Sequence, residues 1–376
     1  MSTQRRVLIV GGGTAGNAAA ILLRRRQISV DLIEAKSDWN ATAGSGITVQ
    51  GNALRVLREL GVWDQVRVVG YAFDEVGLAT PDGHVFHVQQ DIRTGGDDLP
   101  ATVGMQRAQL QSILIEAVRA SGAAVRLGVT VEALSQDGAG VDVRFSDGTS
   151  ARYDLVIAAD GLNSRTRALI GIGDRPEPTG MAIWRAAAPR PAAVTRTDLA
   201  YGGPCYIAGY CPTSENTIYA YLVEGNRERG SVDAESYPEE MRKLAAGYGG
   251  AWTEIAASIT DDSVVDYRRF DRMLVEGSWH RGHVVLVGDA AHCCPPTLAQ
   301  GAAISLEDAL VLTELLAERD TWDGQLLQDY YARRIDRVRA VVDASVQLGQ
   351  WQLDGVRDAD APGLIGRTFT MLKERP

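Results

Sequence analysis

The stretch from Arg6 to Glu34 restricts the fold of this chain more than any other. Val7-Leu8-Ile9-Val10 is an apolar run too short for a helix and closed by glycine, which predicts a buried parallel strand. Gly11-Gly12-Gly13-Thr14-Ala15-Gly16 follows and fits G-x-G-x-x-G. A helix-forming run from Asn17 to Arg26 and a second strand from Ser29 to Ile33 come next. Glu34 stands eighteen residues beyond Gly16. In such a unit Gly11 permits the tight turn, Gly13 lets backbone approach a pyrophosphate, and Gly16 lets the helix pack against the strand. The helix start offers free N–H groups and partial positive charge to phosphates. Glu34 is placed to accept hydrogen bonds from the hydroxyls of an adenosine ribose. Strand, turn, helix, strand and terminal acid all fall at the right offsets, so a dinucleotide is the expected ligand.

A net charge of −10 argues against general affinity for nucleic acid or an anionic membrane, so an anionic ligand must be held by local features. The 376 residues, 45% of them hydrophobic, can bury a large core in two or three domains. Cys205, Cys211, Cys293 and Cys294 form no C-x-x-C pair, and adjacent cysteines bridge poorly, so neither zinc nor a disulfide framework is expected. His84 and His87 lie three apart on an expected strand and face opposite sides, which makes a metal site improbable. No apolar run approaches the ~18 residues of a membrane span, and a first strand at Val7 leaves no room for a signal peptide. The expectation is a cytoplasmic protein, monomeric or homodimeric.

Farther along, Asn52 reads as the N-cap of a helix carrying Leu54, Leu57 and Leu60 and ending at Gly61. Pro81-Asp82-Gly83 signals a hairpin. Arg107 opens an amphipathic helix through Leu110, Ile113, Leu114, Ala117 and Val118. Val141, Val143 and Phe145 share one face of an antiparallel excursion, which returns to the buried strand Leu155-Val156-Ile157-Ala158 and then to Asp160-Gly161, Ser164 and Arg167. Strands are expected around 180–187, 205–211 and 217–223, a helix over 238–248, and helices from Ser305 to the end.

The stretch Val284-Val285-Leu286-Val287-Gly288-Asp289-Ala290-Ala291-His292, running on through Pro295, Pro296 and Gly301, reads as a buried strand, an acid at its carboxyl end, a stiff loop and a helix start. Ligands in open α/β sheets bind at the carboxyl ends of strands, so Asp289 belongs at a ligand contact.

With these residues in view, the chain resembles the single-component FAD-dependent aromatic hydroxylases of the para-hydroxybenzoate hydroxylase type. Three motifs carry the resemblance: the glycine turn at Gly11 to Gly16, Asp160-Gly161 with Ser164 and Arg167, and Gly288 to His292 with Pro296. Gly44-Ser45-Gly46-Ile47 and Arg107 with Leu110 and Leu114 agree with it. The match covers about residues 5–345. It implies an α/β fold: a Rossmann-like FAD-binding domain with an interleaved, mainly antiparallel β-sheet substrate domain and a helical C-terminal segment. The implied boundaries are 1–70, 100–178 and 275–350 for the FAD part, 71–99 and 179–274 for the substrate part, and 351–376 for the helical segment.

The resemblance also implies the site. Gly11, Gly13, Thr14, Ala15, Gly16, Glu34 and Ala35 bind the ADP half of FAD, with Gly46, Arg107 and Asp160 farther along the cofactor. Asp289 meets the ribityl hydroxyls, and Pro296, Gly301 and Ala302 lie by the isoalloxazine. His292 serves either as an anchor for its loop or as a catalytic base. NADPH or NADH is the expected co-substrate, and oxygen passes through a flavin C4a-hydroperoxide to a small phenolic or hydroxylated heteroaromatic substrate. Ala299 and Ala303 depart from the glycine and asparagine common at those positions. Tyr219 and Tyr221, two apart on an expected strand, share a face and are candidates to bond and help ionise the substrate. Tyr206 and Tyr210, four apart on the preceding strand, are expected on the same face, and Trp184 and Pro295 are further substrate contacts. Arg185 is the only basic residue near these strands before Arg227, so no dedicated carboxylate clamp is expected. The alternatives are another flavin-fold activity (a halogenase, epoxidase or reductase) or a non-catalytic flavoprotein that binds a small molecule. The halogenase reading lacks its lysine, since none lies between Lys36 and Lys243.

Overall fold

The computed structural model describes residues 5–41, 46–227 and 233–376. Its centre is a six-stranded sheet in the order His280–Arg281, Val284–Leu286, Leu155–Ala158, Arg6–Val10, Ser29–Glu34, Ala124–Leu127, all parallel except the first. Leu155–Ala158 and, from Val7 on, Arg6–Val10 are apolar throughout because both faces are covered; Val7, Leu8 and Ile9 are fully buried. On one face lie the helices Thr14–Arg25, Arg107–Ala120 and Gly301–Glu318. On the other, Val141, Val143 and Phe145 of a three-stranded antiparallel sheet pack against Leu8, Val10, Ile33 and Val156. The consequence is positional. The glycine turn, Glu34, Asp160 and the Gly288 loop all emerge at the carboxyl ends of neighbouring strands, although the sequence separates them widely.

A second sheet of eight strands, mainly antiparallel, is built on the long strand Glu177–Pro189, flanked by Val265–Leu274 and Thr217–Gly225. Helices Tyr237–Ala245 and Ala251–Ser258 cover one face, packing on Trp184, Ala186, Ala220 and Leu222. Strand alternation turns Arg185, Cys211, Tyr219 and Tyr221 to the opposite face. There Tyr219, Cys211 and Phe73 pack together, next to the small sheet of Gly46–Gln50, Tyr71–Phe73 and Thr102–Gln106. Among the described residues no helix is long and apolar enough to cross a membrane, and no cluster of three or more metal-ligating side chains occurs.

Of two helix starts read from the sequence, one differs from expectation and one agrees. Asn52 is not an N-cap: it lies inside the helix Gly51–Glu59, and its side chain is buried on Gln300 and Glu307, at 3.0 and 3.1 Å. Its partners lie some 250 positions away, beyond the reach of local pattern. The helix expected to open at Gly301 does start there, and Ala302 to Ile304 continue a helix buried on nearly every side.

Candidate active site

The three fingerprint glycines serve different purposes. Gly11 has φ +105°, and a Cβ there would stand 2.4 Å from the Ala159 carbonyl oxygen; a Cβ on Gly16 would stand 1.9 Å from the Gly11 carbonyl oxygen. Gly13 is the contrast, since a Cβ would meet nothing within 4 Å. The space in front of it is open. Behind it the helix starts at Thr14 with no side-chain cap and no acidic residue in its first turn, which leaves its N–H groups free for an anion.

Residues that the motif does not contain hold this turn in place. The Gly12 carbonyl accepts from Asn17 Nδ2 (3.0 Å), Trp39 Nε1 (2.9 Å) and Gln111 Nε2 (2.8 Å). The fixed Gly12 N–H then donates to Glu34 Oε2 at 2.8 Å, and the Lys36 N–H donates to Oε1 at 2.9 Å. Glu34 is thereby oriented with lone pairs to spare. Gln111 carried a faint signal, being one helical turn beyond Arg107; Trp39 carried none.

A cleft of about 490 Å³ opens over this turn. Its lining includes Gly11, Gly13, Thr14, Glu34, Ala35, Arg107, Asp160 and Ile47. Ala15 and Gly16 are buried just behind it in the first helix. Arg107 is exposed and, among the described residues, has no ion-pair partner. Asp160 faces inward as a scaffold, accepting from Ser164 Oγ (2.5 Å) and the Thr166 N–H (2.9 Å). Buried Arg167 donates to the carbonyls of Leu162, Asp174 and Ala290 at 3.0, 3.1 and 2.9 Å, so it ties the Asp160 loop to the Gly288 loop.

The Gly288 loop is pinned from below. Asp308 accepts the Gly288 N–H at 2.9 Å, and the same oxygen meets His292 Nε2 at 2.5 Å. Asp289 is left exposed at the turn. Its carboxyl nevertheless sits deep among protein atoms, and this desolvation raises its pKa above the usual range, with His292 and Arg107 acting the other way. Asp289 and the Pro295–Ala302 segment lie outside the lining of the glycine-turn cleft; Arg107, whose charge acts on Asp289, links the two groups. Of the two prolines, Pro296 is exposed and Pro295 buried. Ala299 takes φ +53°, a left-handed conformation costing a residue other than glycine roughly 1 kcal/mol. The helix from Gly301 begins without a side-chain cap, and Gly301 and Ala302 are half-buried at its open end.

Trp184 and Tyr210 lie elsewhere than expected, whereas His292 takes one of its two expected roles and Tyr206 keeps its expected face. His292 is fully buried against Trp279 and Asp308, so it anchors the loop and has no exposed surface from which to act as a base. Trp184 points to the helix-covered face, where its Nε1 donates to Glu224 at 2.8 Å; its strand parity is opposite to that of Arg185. Tyr210 shares that covered face, packing near Trp252 with its hydroxyl on Asp198 at 2.8 Å. Tyr206 does lie on the face of Tyr221, packing with Ile183 and Val223, and so parts from Tyr210, because the strand starts only at Ile207 and alternation does not carry back to Tyr206. Tyr219 and Tyr221 do share a face, with ring centroids 5.1 Å apart. Gly44 and Ser45 lie outside the described residues.

An open cradle at Gly13, an uncapped helix start, an unpaired arginine and an oriented Glu34 fit a dinucleotide with its adenosine end at Glu34. The family model described as "FAD binding domain" matches residues 4–345. The chain therefore belongs to the FAD-binding family of flavoprotein monooxygenases. YetM of Bacillus subtilis (strain 168), whose name places it among FAD-dependent monooxygenases, is 30% identical, with 98% of this chain and 99% of YetM covered. The 2-heptyl-3-hydroxy-4(1H)-quinolone synthase of Pseudomonas aeruginosa (strain PAO1) is 29% identical over 82% of this chain and 80% of its own. The structure of HpxO from Klebsiella pneumoniae, complexed with FAD and uric acid, shares the fold with a TM-score of 0.84 at 23% identity, covering 99% of this chain and 94% of HpxO. The protein is an FAD-dependent monooxygenase.

Proposed function

We propose that this monooxygenase consumes NAD(P)H and hydroxylates a small phenolic or hydroxylated heteroaromatic ring. The observation that carries the reading is a junction. Ile47 lines the glycine-turn cleft, and a Cβ on its neighbour Gly46 would stand 2.4 Å from the Tyr219 Cβ. The cofactor cleft and the tyrosine face of the second sheet thus abut at two adjacent residues. Uric acid in HpxO and the hydroxyquinolone in the Pseudomonas relative's name are both electron-rich nitrogen heterocycles, which supports the same substrate class here.

Bound FAD supplies the activation of O₂ and the transfer of one oxygen atom; the chain supplies position, dryness and proton control. The N–H groups around Gly13 to Ala15, with Arg107, would hold the pyrophosphate, and Glu34 and Ala35 the ribose. Asp289 would accept from the ribityl hydroxyls, and Gly301 and Ala302 would lie by the ring beside Pro296. Burial pushes the Tyr219 hydroxyl up to about 12, with the Arg185 charge acting the other way, so it remains a donor at neutral pH. A tyrosine donor facing a phenolic oxygen favours the ionised, more nucleophilic ring.

Asp289→Ala is expected to remove charge-assisted hydrogen bonds to the cofactor worth roughly 1.5–3 kcal/mol. FAD should then leave on dialysis, read from the flavin absorbance per protein; unchanged retention would contradict the assignment. The substrate face is tested by Tyr219→Phe and Tyr221→Phe with FAD content matched. At least one should consume NAD(P)H with product yield reduced about a hundredfold or more, the scale of a lost general acid–base contact. Full coupling in both variants would put the substrate elsewhere.

A further inference from the structure

The tyrosine face carries one ion pair that the roles above leave unused. Arg185 stands opposite Tyr221 on one side and opposite Asp266 on the other, so all three side chains share the face. Its Nη2 is paired with Asp266 Oδ2, and the second Asp266 oxygen takes Arg268 Nε at 2.9 Å. The Arg185 and Asp266 side chains are only 17% and 20% exposed. Arg185 Nε is buried and has no hydrogen-bond partner. The guanidinium is close enough to Tyr219 for its charge to act on that hydroxyl.

A guanidinium on a phenol-lined face is what a carboxylated aromatic ring would seek, since its fork matches a carboxylate. Here one arm of the fork, Nη2, is already engaged by Asp266. A substrate carboxylate would have to displace Asp266 and then remain beside it, two like charges in a partly desolvated place. Resting on the hydroxylase reading, we propose that Asp266 is a specificity-determining residue. By occupying Arg185 it selects hydroxylated rings that lack a carboxylate, and its removal converts Arg185 into a carboxylate clamp. Rejection by an internal charge is specificity achieved through a repulsive element.

The test uses FAD-loaded protein and two matched probe pairs: 4-hydroxybenzamide with 4-hydroxybenzoate, and 4-hydroxyquinoline with 4-hydroxyquinoline-2-carboxylate. Calorimetric titration gives the affinity ratio within each pair for wild type, Asp266→Asn, Asp266→Ser and the double variant Asp266→Asn/Arg185→Gln, with FAD content and thermal midpoint checked for each. Wild type is expected to favour the uncharged member by about tenfold or more, and both single variants should move the ratio toward the carboxylate by about thirtyfold, the scale of a gained charge-assisted contact. The double variant should lose that shift. A wild-type preference for the carboxylates, or a ratio unmoved in folded single variants, overturns the inference. Stimulated NAD(P)H oxidation by wild type is read separately. Its presence with an unmoved ratio defeats the inference alone; its absence, with none of the four probes bound, defeats both the inference and the hydroxylase reading.

Discussion

Asp308→Ala is expected to cost about 3–5 kcal/mol, because it strips a buried guanidinium of one of its two carboxylate partners. Asp308 is fully buried; one oxygen takes the Gly288 N–H and His292, and the other takes Arg334 Nε at 2.7 Å. Arg334 is itself fully buried and reaches Glu307 at 3.1 Å. Glu307 also receives Arg337 at 2.8 Å, and Arg337 donates to the carbonyls of Met371 and Leu372. One network therefore joins the Gly288 loop, the helix at Gly301, the long helix Gly324–Leu353 and the C-terminal helix Ala361–Leu372. Urea unfolding should show the loss, and FAD retention should fall with it because the Gly288 loop is no longer pinned. A loss under about 1 kcal/mol would mean that the cluster relaxes around water.

The same network sets the acid response. His292 and Arg334 hold the Asp308 carboxyl below its ordinary value against the effect of burial, and Arg334 and Arg337 do the same for Glu307. Carboxyls depressed in the folded state contribute stability that is fully present above the unfolded value of about 4 and is lost as pH falls through the folded value. Acid lability from this cluster should therefore begin below pH ~4, and Asp308→Ala should flatten it.

The second large effect separates folding from binding. Gly13 has φ −83°, open to any residue, and nothing would touch its Cβ, so Gly13→Val should leave the apo-protein's stability within about 0.5 kcal/mol. The valine would fill the space before the uncapped helix start, and FAD affinity should drop about 100-fold or more, the scale of two charge-assisted hydrogen bonds. Gly16→Ala acts the other way round. Its Cβ would press on the Gly11 carbonyl from 1.9 Å, so it should destabilise even the apo-protein by roughly 1–3 kcal/mol. Thermal midpoints of the apo forms beside FAD titrations check both. Normal FAD binding by Gly13→Val would contradict the cradle.

The glycine turn, Glu34 and the strand ends were legible because each is written in a few adjacent residues whose spacing has one physical use. The supports were not: Trp39, Gln111 and Asn17 converge on one carbonyl from three elements, and neighbours in sequence do not announce that. Parity explains the tyrosines. Tyr219 and Tyr221 lie wholly within one strand, so period-two alternation held. Tyr206 precedes its strand and so keeps to their face while Tyr210 does not, and Trp184 differs from Arg185 by one step, which in a sheet is the full thickness of the layer. Glu307 and Asp308 read as a charged spot in an otherwise apolar helix. Their partners lie a further helix away in the chain, so the sequence pattern could not tell a solvated face from a buried ionic core.

The central claim is oxygen transfer from O₂ to a hydroxylated ring at the junction of the two sheets. It is tested most directly by incubating the FAD-loaded protein with NAD(P)H, isotope-labelled O₂ and a panel of phenols and hydroxylated nitrogen heterocycles. At least one compound should accelerate NAD(P)H oxidation and return a product that has gained one labelled oxygen atom. Oxygen drawn from water, or a chlorinated product, would contradict the account.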